Sequence, residues 1–114
     1  MWNNIKDELF NKLPSLPYLA YKKSFETDFK GIKNSDERMK LIETLAKISV
    51  HLEKGNGDTT RLRADGGLQY EDYTNLNGIA HFRITQGIRV SCQSKGDKLL
   101  LRRYGKEPDV NKNP

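Results

Sequence analysis

Arginine is the side chain this sequence gathers where chemistry could be done. Arg83 and Arg89 stand six positions apart, Arg102 and Arg103 follow as a pair, and Lys95, Lys98 and Lys106 share the same stretch. Residues 77–114 hold eight Lys/Arg against three Asp/Glu, which is the whole net charge of +5; residues 1–76 balance twelve against twelve. A guanidinium is a planar fork that bonds two phosphate oxygens at once. A segregated block of such groups points to a polyanion partner, most simply nucleic acid. The plain alternative is a solvated basic face with no partner.

Other chemistries are excluded by what is missing. Cys92 is the only cysteine, so neither an intramolecular disulfide framework nor a Cys-rich zinc site can form. His51 and His81 lie thirty positions apart, which is no histidine metal motif. No apolar run reaches the ~18–20 residues of a membrane span. Residues 1–11 carry Asp7 and Glu8 and lack an apolar stretch, so no signal peptide is expected there. The expectation is a soluble, cytoplasmic protein without a cofactor or a membrane partner. At 114 residues, 31% charged and 35% hydrophobic, the chain suits one domain with a modest core.

The elements that would position these groups can be read from periodicity. Ile5, Leu9 and Leu13 predict a short amphipathic helix over 2–13, ended by Pro14 and Pro17. This extension, residues 1–17, is set apart from a domain over 18–114. Tyr18 to Lys23 has strand character, and Ser24 is a candidate N-cap for a helix with Phe25, Phe29 and Ile32 on one face. Asn34 with Glu37 resembles a capping box. It opens the strongest periodic segment, 35–54, with Leu41, Ile42, Leu45, Ile48 and Leu52 in a stripe, Glu43 and Lys47 at i, i+4, and Gly55 as C-cap. His51 falls beside that stripe as a partly exposed histidine. A long connection, 55–78, carries Arg61 and Arg63 and room for a short strand between Leu68 and Leu76.

The last third reads as β. Ala80, Phe82 and Ile84 alternate with His81, Arg83 and Thr85; Ile88, Val90 and Cys92 alternate with Arg89, Ser91 and Gln93. Residues 94–97 form a turn, Lys98 to Tyr104 a third strand, and Gly105 to Pro114 a polar tail. The fold class expected is α+β: a small antiparallel sheet with helices packed on one face. The other face would present His81, Arg83 and Arg89, with Arg102 and Tyr104 if Leu99 and Leu101 point inward. Uncovered, it would hold a phosphate backbone, with Arg61, Arg63, Lys95, Lys98, Arg103 and Lys106 as further nucleic-acid contacts.

Three stretches resemble the RelE/ParE superfamily of toxin–antitoxin toxins. Residues 18–32, with Ser24-Phe25 and Asp28-Phe29, look like that family's opening strand and first helix. The helix 35–54 and the loop to Leu62 follow. Phe82 to Val90 is similar to its paired-arginine hairpin, and Gly96 to Gly105 to its last strand. The match spans about residues 18–111 and leaves 1–17 outside. The resemblance implies a RelE-like fold and a cognate antitoxin as partner. It also implies metal-independent cleavage of mRNA in the ribosome by 2′-hydroxyl attack, with translation inhibition as the outcome. Arg89 matches the hairpin arginine that binds the scissile phosphate, and Arg83 the first one, a binding residue. Arg102 and Arg103 precede the segment 105–111, where the family keeps a further Arg or His and often a Tyr. Here Asn111 stands at the Tyr position and no His occurs. Acid and base must then come from His81, Tyr104 or Lys106, with Glu71 and Asp72 behind them. Histidine is the natural base near neutral pH.

Three functions follow: a ribonuclease toxin, a non-catalytic relative that poisons a target such as gyrase by binding, and a small RNA-binding protein. Their common expectation is electrostatic. RNA affinity, measured by titration at rising ionic strength, should fall steeply if several phosphates are contacted. A flat response would mean the basic third is only a solvated surface.

Overall fold

Strict alternation makes the sheet two-faced. The computed structural model describes residues 18–114, so the helix expected over 2–13 and the boundary at residue 17 lie outside the described residues. The strands are β1 (Leu19–Tyr21), β2 (Glu71–Asp72), β3 (Ile79–Thr85), β4 (Ile88–Lys95) and β5 (Lys98–Lys106). The helices are α1 (Lys23–Lys30), α2 (Ser35–Lys54), α3 (Thr60–Ala64) and α4 (Glu107–Lys112). The sheet order is β1-β5-β4-β3-β2, with β1 parallel to β5 and the other pairs antiparallel. The expected α+β class with its small, mostly antiparallel sheet is the one observed.

The inner face follows the pattern of the sequence. Ala80, Phe82, Ile84, Val90, Cys92, Leu99 and Leu101 are buried, and Phe25, Phe29, Leu41, Leu45, Ile48 and Leu52 of α1 and α2 close over them. Cys92 is fully buried, and burial pushes its thiol up to about 12, so it is core rather than a reactive group. The turn between β4 and β5 is Gly96-Asp97, with Gly96 at a φ of 62° that only glycine adopts freely. The long connection resolves into α3 and the two-residue β2.

Capping differs from the expectation at α1. The helix starts at Lys23 with Lys22 as an N-cap that makes no side-chain bond. Ser24 instead donates its hydroxyl to the Arg102 carbonyl at 2.6 Å. At α2 the cap holds: Asn34 Oδ1 accepts from the Asp36 and Glu37 amides at 2.8 and 3.1 Å. Glu37 does not complete the box; its carboxylate accepts the Tyr104 hydroxyl at 3.3 Å.

Two expectations about the other face are corrected. First, the register between β4 and β5 shifts after Ser91: Cys92 pairs with Leu101, but Ser91 pairs with Arg103. That bulge inserts one extra residue, so alternation is broken at Arg102. Tyr104 therefore turns inward opposite Val90 and is 8% exposed, rather than standing outside with Arg102. Second, Gly105–Pro114 is not a loose tail. β5 continues to Lys106, and α4 then folds back over the outer face, with Pro108 in its first turn and Val110 buried against Gly105.

The edge of β5 past β1 is closed by α1. β1 accompanies β5 only as far as Leu101. Beyond it, Ser24 takes the Arg102 carbonyl, and Asp28 accepts the Tyr104 amide at 3.0 Å and the Arg103 guanidinium at 2.7 Å. Asp28→Ala should cost about 1–3 kcal/mol, because a buried strand amide loses a charged acceptor. Urea unfolding measures it, and an unchanged midpoint would show the anchor to be dispensable.

Candidate functional site

The site grows from the β3–β4 hairpin. Arg83 and Arg89 are register partners and so share one face, as do His81 and Ser91 two pairs along. Arg89 is 8% exposed, far less than a waiting phosphate ligand would be. Its Nη1 donates to the Thr85, Gln86 and Ile88 carbonyls at 2.9, 3.1 and 3.2 Å, which ties it to the hairpin turn. Its Nη2 faces Glu107 at 2.9 Å. Arg83 is half-buried and its guanidinium has no hydrogen-bond or ion-pair partner among the described residues.

His81 stands behind this pair. Its ring centroid is 4.7 Å from that of Tyr73. Its Nδ1 is buried without a partner among the described residues. Burial lowers its pKa below the ordinary 6.5, and Arg89 adds to the lowering, while Glu71 and Glu107 oppose it. With its pKa lowered the ring favours the neutral form at pH 7; Nδ1 is sealed from solvent, which leaves Nε2 as the nitrogen an incoming group could reach. Tyr73 donates its hydroxyl to Asn111 Oδ1 at 2.7 Å, and burial pushes that phenol up to about 12. Asn111 thus fastens α4 to the site.

The remaining expected residues divide. Lys106 is exposed, but it pairs with Ile88, out of phase with the Gly105–Arg89 pair, and lines a groove with Thr27, Asn34, Glu37 and Tyr104, so the structure does not bring it to the site. Arg102 is on the outer face, but its Nε donates to the Pro114 carbonyl at 3.0 Å and its Nη1 to Gln93 at 2.7 Å. Tyr104 is removed from the site by the bulge; burial, then the nearby Glu37, raises its pKa. Arg103 is held by Asp28 at the α1 edge. Arg63 makes a two-pronged ion pair with Asp72 at 2.7 and 3.1 Å and lies over the Tyr70 ring. Arg61 is exposed on α3, in the helix layer. Lys95 and Lys98 flank the opposite hairpin, six strand residues or ~20 Å from Arg89. The site is thus smaller than the roll of basic residues suggests.

Glu107 and Tyr73 are the members that sequence reasoning did not select. The available signal for Glu107 was its place in 105–111, the segment the family resemblance singles out. Among the described residues no group of three or more His, Cys, Asp or Glu side chains converges as a metal cage, and no helix is long and apolar enough to cross a membrane.

With this geometry in hand, the chain can be set beside known proteins. No family model and no curated protein matches it. Solved structures do. The toxin–antitoxin complex RelB-RelE from Methanococcus jannaschii yields a TM-score of 0.60 at 12% identity, covering 83% of this chain and 99% of that one. YafQ from E. coli reaches 0.56 at 16% identity over 81% and 94%. A mutant toxin from Helicobacter pylori reaches 0.54 at 22% identity over 82% and 97%. This chain has the RelE-like toxin fold. The RelE-like core accounts for nearly the full length of each neighbour, so the outer-face cluster around Arg89 belongs to that core and not to an added domain.

The lowered His81 pKa has a direct check. By NMR, its imidazole should titrate below 6.5, and Glu107→Gln should move the midpoint further down by removing an anion that favours the charged ring. A midpoint above 6.5 would contradict the burial described.

Proposed function

We propose that this protein is the toxin of a toxin–antitoxin pair and cleaves mRNA as a metal-independent endoribonuclease on or near the ribosome. One observation carries the reading: a half-buried histidine whose pKa is lowered shares a sheet face with two arginines, on a RelE-like fold. The neighbours RelE and YafQ were solved with antitoxins RelB and DinJ, which supports a cognate antitoxin here.

The chemistry assigns itself by protonation state. His81, neutral, takes the proton of the 2′-hydroxyl. The 2′-oxygen attacks phosphorus, the bond to the 5′-oxygen breaks, and a 2′,3′-cyclic phosphate remains. Arg89 stabilises the charge that builds on the phosphorane oxygens, and Arg83 beside it binds the strand. The 5′-oxygen leaves as a hydroxyl by taking a proton from water. Glu107 occupies the place on Arg89 that a phosphate would take, so substrate must displace it.

A second reading has its own support. Glu107 already neutralises Arg89, and Asn111 stands where a Tyr is usual, which suits a non-catalytic toxin that acts by binding a target such as gyrase.

Primer extension on ribosome-programmed mRNA decides between them. New 3′ ends are expected with the wild-type protein, and His81→Gln should reduce cleavage about 10²-fold or more while leaving the fold intact. The wild-type rate should be level at pH 6.5 and above and fall only as pH drops through the lowered His81 pKa, because protonated His81 cannot act as base. No cleavage at any pH would leave the binding reading. Arg89→Ala is the poorer probe, since it also strips three turn carbonyls of their donor.

A further inference from the structure

A cleft of about 420 Å³ opens beside the site, at the free edge of β3. β2 pairs β3 only at Ala80 and His81, and past that point the loop at Leu68 takes over, accepting the Arg83 amide at 2.7 Å. The gap left between this loop, β3 and α2 is the cleft. Three cations line it, Lys40 and Lys47 from α2 and Arg83 from β3, and no carboxylate does. Thr85 and Gln86 add neutral hydrogen-bonding groups.

The cations are not equivalent. Lys47 is set in place by Asp65, whose carboxylate lies 3.3 Å from its ammonium and which His51 and Lys47 both hold below the usual carboxylate range. Gly67 leaves room under that ammonium: a Cβ there would come within 3.7 Å of it. The Lys40 ammonium and the Arg83 guanidinium have no ion-pair or hydrogen-bond partner among the described residues. Two unneutralised cations and one half-neutralised one, converging on a concave and partly walled space, make a local positive potential that a compact anion would relieve. Arg83 adds the planar fork suited to two oxygens of one phosphate.

We infer that this cleft is a phosphate subsite formed by Arg83, Lys40 and Lys47, which holds the RNA phosphate next to the one at Arg89. The assignment of RNA rests on the ribonuclease reading above; the anion site itself does not. Arg83 and Arg89 face the same way from paired positions, so a single strand crossing Arg89 runs directly to this cleft. A tetrahedral phosphate fits a space with a fork on one wall and ammonium groups on the other better than an extended acidic peptide does.

The test uses the full chain and inorganic pyrophosphate as probe, followed by NMR. Saturable shifts are expected at the amides of Lys40, Thr85 and Gln86, and Lys40→Gln should weaken the affinity about tenfold, while Lys54→Gln, outside the cleft, should not. Lys40→Gln should likewise weaken a single-stranded RNA oligonucleotide in fluorescence anisotropy and lower the salt slope by about one. No pyrophosphate shifts in the cleft would overturn the site, whether or not RNA binds. Pyrophosphate shifts with RNA affinity untouched by Lys40→Gln, or an oligoglutamate peptide that fills the cleft when RNA does not, would overturn the RNA assignment. RNA that fails to bind the wild-type protein while pyrophosphate still enters the cleft would overturn the ribonuclease reading and uphold the anion site.

Discussion

A strand that outruns its neighbour must find partners for its backbone, and β5 is that strand. β1 is three residues long and leaves β5 bare from Arg102 onward. Ser24 and Asp28, one helical turn apart on α1, meet the bare carbonyl and amide. The same turn buries Phe25 and Phe29, so the helix that fills the core also closes the edge. Closing it locks the bulge at Arg102, and the bulge decides which side chains of β5 face the site. Arg102 goes out, Tyr104 goes in, and β5 then delivers Gly105 opposite Arg89 with α4 immediately behind.

What α4 brings to the outer face is a set of polar contacts rather than a second core. Only Val110 is buried among its residues. Glu107 and Asn111 reach Arg89 and Tyr73, and just past the helix the Pro114 carbonyl accepts from both Ser91 and Arg102. A guanidinium taken out of water needs nearly all its donors satisfied, and Arg89 meets that demand with three carbonyls and one carboxylate. The carbonyls belong to the hairpin and stay with it. The carboxylate sits on α4 and is 45% exposed, so it is the one partner that an incoming anion can replace without disturbing the strands.

Periodicity made much of this legible. The inward set on β3 and β4, the stripe on α2 and the Asn34 cap follow from alternation and helical spacing, because each is enforced by burial along several residues. Single-residue events were not legible. Nothing in Leu-Leu-Leu-Arg-Arg-Tyr marks a bulge, and parity carried Tyr104 to the wrong face. α4 has one buried apolar residue and an early proline, too little for a periodic signal; Pro108 sits where a helix tolerates it, in the first turn. Ser24 reads as a cap because hydroxyls usually serve their own helix, yet here a bare strand carbonyl competes and wins. The site suffered most from this: its arginines were found, and Glu107, which governs one of them, was passed over as a surface charge.

The charge argument also changes character once pairing is counted. The excess in the last third drew attention to arginines, but Arg89 and Arg103 spend their charge on Glu107 and Asp28, and Arg102 spends its donors on Gln93 and Pro114. What is left at the site is Arg83, and the lysines that reinforce it come from α2, in the first two thirds of the chain, whose net charge is zero. Net charge by segment therefore located the right region for an incomplete reason. A local positive potential is made by cations left unpaired in space, and here the fold assembles one by bringing lysines of the neutral first two thirds against an arginine of the basic last third. That arrangement ties any anion recognition to the packing of α2 on β3, so the electrostatics of the site and the stability of the core rest on the same contact.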